Sequence, residues 1–304
     1  MTRPRISVVT PSYNQAEFIQ DTLASVARQD YGDVEHLVMD GGSTDGTVEL
    51  LREHAEATND DSSYTFRWVS EPDDGQSDAI NQGFERTTGE SVAWLNSDDV
   101  YFDPGVLGRA ADQFQRTGAD VIYGDLAYID RKSTIAEVDV RPDFDAGKLP
   151  YRILIGQPAT FFRREVVDAE RLDTSLDYSM DYEYWLRLAE RFEFAHVTDV
   201  WAGFRSYEAQ KSQDQAAMAA ELKNILSEYP TDRDGPSVVV DNAAVELQRL
   251  ARAVRATYSM HRNPPELAFD GDLAPLGTML ANLGPSTGDV MKAWRRWRSG
   301  GTSG

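Results

Sequence analysis

Asp98 and Asp99 end the run Val92-Ala93-Trp94-Leu95-Asn96-Ser97-Asp98-Asp99, in which four apolar residues pass directly into amide, hydroxyl and carboxylate groups. Adjacent carboxylates repel one another, and a hard divalent cation beside them relieves that repulsion through oxygen ligands. Asp is also a frequent helix cap, but Asp103-Pro104 already supplies a cap and a first-turn proline a few residues on. Three further polar clusters precede this one: Thr10-Pro11-Ser12-Tyr13-Asn14, Asp40-Gly41-Gly42-Ser43-Thr44-Asp45 and Glu71-Pro72-Asp73-Asp74-Gly75-Gln76-Ser77-Asp78. Acids gathered at one edge are costly unless they meet a cation and hydrogen-bond donors. A nucleoside offers such donors in its base and ribose, and its diphosphate calls for the metal. Any one cluster is ordinary turn chemistry; four at successive strand ends carry the argument. No G-x-G-x-x-G or G-x-x-x-x-G-K occurs, which removes the main support for dinucleotide and P-loop chemistry.

Strands and helices must alternate to place these clusters. Short β-branched or apolar runs predict strands at 6–10, 34–39, 64–69, 89–95 and 119–124, and helical spacing predicts helices at 16–29, 43–54, 76–86 and 103–115. This order predicts an α/β fold with a doubly wound, mainly parallel sheet and helices on both faces. The four clusters then lie beyond the carboxyl ends of strands, where such sheets bind ligands. After Gly124 the rhythm changes. A hairpin is expected over 126–140, turning at Asp130-Arg131-Lys132-Ser133, followed by a strand at 158–162 and a helix at 180–191. An amphipathic helix spans 242–258, and Pro and Gly make 263–288 read as a loose connection.

Composition narrows the classes. The 304 residues contain 41% hydrophobic and 10% aromatic side chains, those of a globular protein large enough for a substantial core. With no cysteine there is no disulfide, thiolate metal site or cysteine nucleophile. A net charge of −21 argues against a nucleic-acid partner. Acids outnumber bases 51 to 30, and only 5 of the bases are lysine, a halophile-like composition suited to a high-salt cytoplasm.

The motifs resemble those of the family 2 glycosyltransferases with the GT-A fold. The matching stretches are Val8 to Asn14, Met39 to Thr47, Glu71 to Gly83, Trp94 to Asp99, Gly156-Gln157-Pro158-Ala159-Thr160-Phe161-Phe162 and Met180-Asp181-Tyr182-Glu183-Tyr184-Trp185-Leu186-Arg187-Leu188, together covering roughly residues 4 to 212. The resemblance implies an inverting, metal-dependent transferase. It would move a sugar from a nucleotide-diphosphate sugar, UDP-linked in the first instance, to a hydroxyl of a saccharide or lipid-linked acceptor. It places Pro11, Ser12, Tyr13, Asp40 and Asp78 around the sugar nucleotide. Asp99, supported by Asp98, would hold Mg²⁺ or Mn²⁺, and Asp181 would be the catalytic base. The family often has a histidine where this chain has Tyr207, so Arg205 and Lys211 are expected to hold the diphosphate instead. Two other readings use the same carboxylates: a nucleotidyltransferase, and a catalytically silent sugar-nucleotide binder with no use for Asp181.

The division expected is a catalytic domain over 1–212 and a helical C-terminal region over 213–304. In the tail, Val290, Ala293, Trp294 and Trp297 share one helical face while Lys292, Arg295 and Arg296 share another. Such a helix either lies at a membrane surface, which suits a lipid-linked acceptor, or docks its tryptophans on the catalytic domain. No stretch approaches the ~20 apolar residues of a membrane span, and no export h-region precedes the first strand. The expected location is cytoplasmic, with peripheral contact at the cytoplasmic membrane face on the anchor reading.

Overall fold

The computed structural model describes residues 4–208, 210, 214–229 and 236–283. Strands β1 (Ile6–Ser12) and β2 (Val34–Asp40) are buried along their whole length, polar Ser7, Thr10, Glu35 and His36 included, because both sheet faces are covered. They run parallel, with β3 (Tyr64–Ser70) added parallel beyond β2 and β4 (Ser91–Trp94) parallel on the other side of β1. Helices α1 (Ile19–Ala27), α2 (Thr47–Thr58) and α3 (Gln76–Arg86) form the crossovers. The spatial order β3-β2-β1-β4 therefore reverses at β1, and a crevice opens beyond the carboxyl ends of β1 and β4.

Beyond β4 the sheet is mixed. After β5 (Val100–Tyr101) and α4 (Val106–Thr117) come β6 (Val121–Ile129) and β7 (Thr134–Asp139), the expected hairpin. Strand β8 (Thr160–Arg163) runs antiparallel between β4 and β6. Helices α5 (Arg164–Ala169) and α6 (Met180–Leu188) follow, and then β9 (Phe194–Arg205), which pairs parallel with β6 and was not anticipated from the sequence. Helices α7 (Gln215–Glu228) and α8 (Pro236–Arg262) make the C-terminal part helical. The segment expected to be loose instead contains β10 (Asp272–Leu273), paired with β7, and α9 (Leu276–Asn282). Its Met279 and Leu283 are buried in the main core, because the outer face of the hairpin needs covering. Lys211 and the stretch 289–298 lie outside the described residues. No helix among the described residues is long and apolar enough to cross a membrane.

Period-two alternation divides the interior in two. Val8, Ala93, Leu95 and Ile122 face the core under α1, α4, α8 and α9, whereas Val9, Val92, Trp94 and Tyr123 face the core under α3, α5 and α6. In the second core Trp94 stacks on Phe162 and Trp185, with ring centroids 5.5 and 5.7 Å apart, and so ties the end of β4 to α6. α3 crosses close to β1 at Gly83, where a Cβ would lie 2.3 Å from Val9 Cγ1. Gly83→Ala is expected to destabilise the fold by about 1–3 kcal/mol through overpacking, read as a lower Tm.

Candidate active site

A cavity of about 770 Å³ occupies the crevice beyond β1 and β4, within the size range of small-ligand sites. Pro11, Ser12 and Tyr13 form one wall because β1 ends there; Asn96, Ser97 and Asp98 form the next as the chain leaves β4. Asp181, in the first turn of α6, closes the far side. Of the nine described residues among the ten singled out from the sequence, five thus share one cavity: Pro11, Ser12, Tyr13, Asp98 and Asp181. Tyr13 is 64% exposed at the rim, while Ser12 is buried with its Oγ lacking a hydrogen-bond partner among the described residues. A buried hydroxyl without a partner is costly, and a ligand in the cavity would satisfy it.

The other four do not line the cavity. Asp40 is buried behind it, accepting from Ser43 N at 3.0 Å, Ser43 Oγ at 2.5 Å and Ser70 Oγ at 2.6 Å. A carboxylate has about four acceptor sites, so Asp40 retains room for one further donor. Asp78 accepts from Gln82 Nε2 at 2.7 Å within α3. Asp99 is fully buried; its Oδ1 accepts from the Arg205 amide at 2.9 Å, and its Oδ2 has no partner among the described residues.

Arg205 is turned inward, off the cavity lining. The side chain is fully buried. Its guanidinium donates to Asp98 O at 2.8 Å, Asp130 O at 3.1 Å, Ser133 Oγ at 2.9 Å and Asp21 Oδ2 at 2.8 Å, and it lies 4.8 Å from the Phe18 ring centroid. A buried cation has to be paired and hydrogen-bonded, and these partners engage four of the five N–H donors of the guanidinium. Arg205 instead fixes the backbone that carries Asp98.

The electrostatics are those of crowded acids. Burial pushes the Asp99 carboxyl well above its ordinary value, and the Asp98 charge pushes it further, against the amide and charge of Arg205. Burial also raises Asp98, opposed by the hydroxyl of Tyr207, which donates to its Oδ2 at 3.1 Å. Asp73, on the cavity wall, is raised by burial and by Asp78, Asp40 and Asp74. Asp181 is partly buried, and burial lifts its carboxyl, with Glu221 adding to the rise and Arg141 opposing it.

Sequence reasoning passed over an amide chain along the cavity wall. Gln76 Nε2 donates to Asn96 Oδ1 at 2.9 Å, Asn96 Nδ2 to Gln157 Oε1 at 3.1 Å, and Gln157 Nε2 to Trp94 O at 2.8 Å. Each of these residues stood inside a quoted motif, but only the fold brings them into one line. Among the described residues, no group of three or more His, Cys, Asp or Glu side chains gathers as a metal site. What the protein offers a cation is the cavity-facing Asp98 and the unused Oδ2 of Asp99. These hard oxygens fit an ion whose other ligands come from phosphate and water, the usual manner of Mg²⁺.

The sequence model described as glycosyl transferase family 2 matches residues 7–167. An uncharacterized glycosyltransferase of Mycobacterium tuberculosis is 30% identical over 230 residues, covering 73% of this chain and 83% of that protein. A mannosyltransferase from Pyrobaculum calidifontis, solved with GDP-Man and Mn²⁺, has a TM-score of 0.59 at 19% identity, covering 98% of this chain and 84% of that one. The TarS 1–349 structure from S. aureus with UDP-GlcNAc has a TM-score of 0.57 at 15% identity, covering 84% and 83%. At such identities these structures bear on the fold alone.

Proposed function

The chain belongs to the family 2 glycosyltransferases, and from that premise we propose an inverting, metal-dependent transfer from a nucleotide-diphosphate sugar to a saccharide or lipid-linked hydroxyl. The observation that carries this reading is the single cavity joining the end of β1, Asp98 and Asp181. On this reading residues 1–212 carry the transfer chemistry, and the basic, tryptophan-bearing tail is what makes a lipid-linked acceptor part of the proposal.

Pro11, Ser12 and Tyr13 bind the nucleoside, with Asp40 accepting from the base behind them and Asp78 bounding the sugar-nucleotide side. Asp98 and Asp99 would hold Mg²⁺ or Mn²⁺, which would neutralise charge on the diphosphate. Asp181 takes the proton of the acceptor hydroxyl. The acceptor oxygen bonds to the anomeric carbon as the bond to the diphosphate breaks, and the nucleoside diphosphate leaves with the electron pair. The sugar passes through an oxocarbenium-like state, so stabilising the leaving group matters most. A UDP-sugar is the first donor to test.

Incubation with a panel of nucleotide sugars and Mn²⁺ is expected to release nucleoside diphosphate from a UDP-sugar and yield a β-linked product from an α-linked donor. An α-linked product refutes inversion, and binding of sugar nucleotide with no turnover on any acceptor supports the silent binder.

A further inference from the structure

Helix α7 lies past residue 212, beyond the stretch that carries the family resemblance, yet it reaches the turn that presents Asp181. Its Ile225 is buried in the core that contains Met180 and Tyr182, and Leu222, Leu226 and Tyr229 pack against the same cluster. On this helix Glu221 accepts three hydrogen bonds from successive backbone amides, Asp177 N at 2.7 Å, Tyr178 N at 2.9 Å and Ser179 N at 2.5 Å. Consecutive amides converging ahead of a helix form a concave anion site. Here a side chain 42 to 44 residues away in sequence fills it. Ser179, the N-cap of α6, makes no side-chain cap of its own, so Glu221 supplies the negative charge that this helix start favours. Charge-assisted bonds of this kind are the strong ones, and Asp181 stands two residues after the last amide.

We propose that Glu221 is a positioning residue: it clamps the 177–179 turn from α7 and so fixes where Asp181 meets the acceptor hydroxyl. The proposal rests on the reading of Asp181 as the base. Burial sets the Asp181 carboxyl first, followed by the amides of its own turn, Arg141 from the segment after β7 and then Glu221 from α7; Asp73, Asp98, Asp177, Tyr178 and Tyr207 border the same cavity. Glu221 raises that carboxyl by like charge, so its removal lowers the carboxyl and moves the acidic limb of the kcat profile to lower pH.

The test compares Glu221→Ala and Glu221→Gln in the full chain. Glu221→Ala is expected to lower kcat by about 10²-fold, the scale of a misplaced catalytic group, with donor KM unchanged and the acidic limb displaced to lower pH. Amide exchange at 177–179 should quicken in the same variant. Glu221→Gln keeps an acceptor oxygen but no charge, so most of kcat should return while the limb stays displaced. Loss of Tm with equal effects on kcat and KM and an unmoved limb would reduce Glu221 to a structural contact and overturn the proposal. Unchanged amide exchange in Glu221→Ala would overturn the clamp itself. Turnover surviving in Asp181→Asn would instead remove the base reading and with it the catalytic half of the proposal, leaving the exchange result to judge the clamp.

Discussion

Asp181→Asn is expected to lower kcat by about 10²–10⁴-fold, the worth of a positioned proton acceptor, while donor binding and Tm stay at the wild-type level. The expectation follows from what the substitution leaves intact. An amide oxygen still accepts from Tyr182 N, now at 2.8 Å from the carboxylate, and the shape of the α6 turn is kept. Lost is the ability to take a proton at a site where burial has already raised the carboxyl and so made it a stronger base. Such a fall corresponds to about 2.7–5.4 kcal/mol of transition-state stabilisation. The neighbouring carboxylate, Glu183, is a poor substitute: Arg187 Nε and Nη2 hold it at 2.8 and 2.9 Å. Single-turnover kinetics with donor affinity measured separately decide the matter. A near-normal rate in Asp181→Asn would place the base elsewhere.

Residue type and spacing made the first half of the fold readable because its strands are covered on both faces. β1, β2 and β4 are short strands rich in β-branched and apolar residues, and their carboxyl ends coincide with the clusters that line or back the cavity. β9 was hidden for the opposite reason. The residues from Phe194 to Asp199 are mostly half-exposed and mix polar with apolar, so only the second half of the strand, from Val200 to Phe204, forms an apolar run. The site was legible as a set of residues more than as an arrangement. Arg205 stands where its motif suggested a ligand contact, but the carbonyls of Asp98 and Asp130 and the carboxylate of Asp21 draw its guanidinium inward. Glu221 was invisible, since nothing local to it names the distant amides it accepts from. A contact of that range is decided by how α7 packs against α6.

Asp98→Asn is expected to remove the Mn²⁺-dependent part of UDP binding and to lower turnover roughly 10²–10³-fold, equivalent to about 3–4 kcal/mol of the charge stabilisation a divalent ion provides. The family resemblance implied Asp99 as the ligand with Asp98 in support. Which of two adjacent carboxylates faces a ligand is set by turn geometry, and here Asp98 lines the cavity while Asp99 is fully buried behind it. The Asp99 Oδ1 is engaged by the Arg205 amide, while Oδ2 has no hydrogen-bond partner within normal geometry among the described residues, with the Asn96 side chain nearby. Asp99→Asn should therefore keep the Arg205 contact and weaken the ion less than Asp98→Asn does. Titration calorimetry with UDP, with and without Mn²⁺, separates the two variants independently of turnover. Should Asp99→Asn lose the metal-dependent binding while Asp98→Asn retains it, the ion belongs to Asp99 and the cavity wall has to rearrange on binding. Full activity in EDTA would remove the metal from the reaction altogether, and the unused oxygen of Asp99 would then need a proton to explain it.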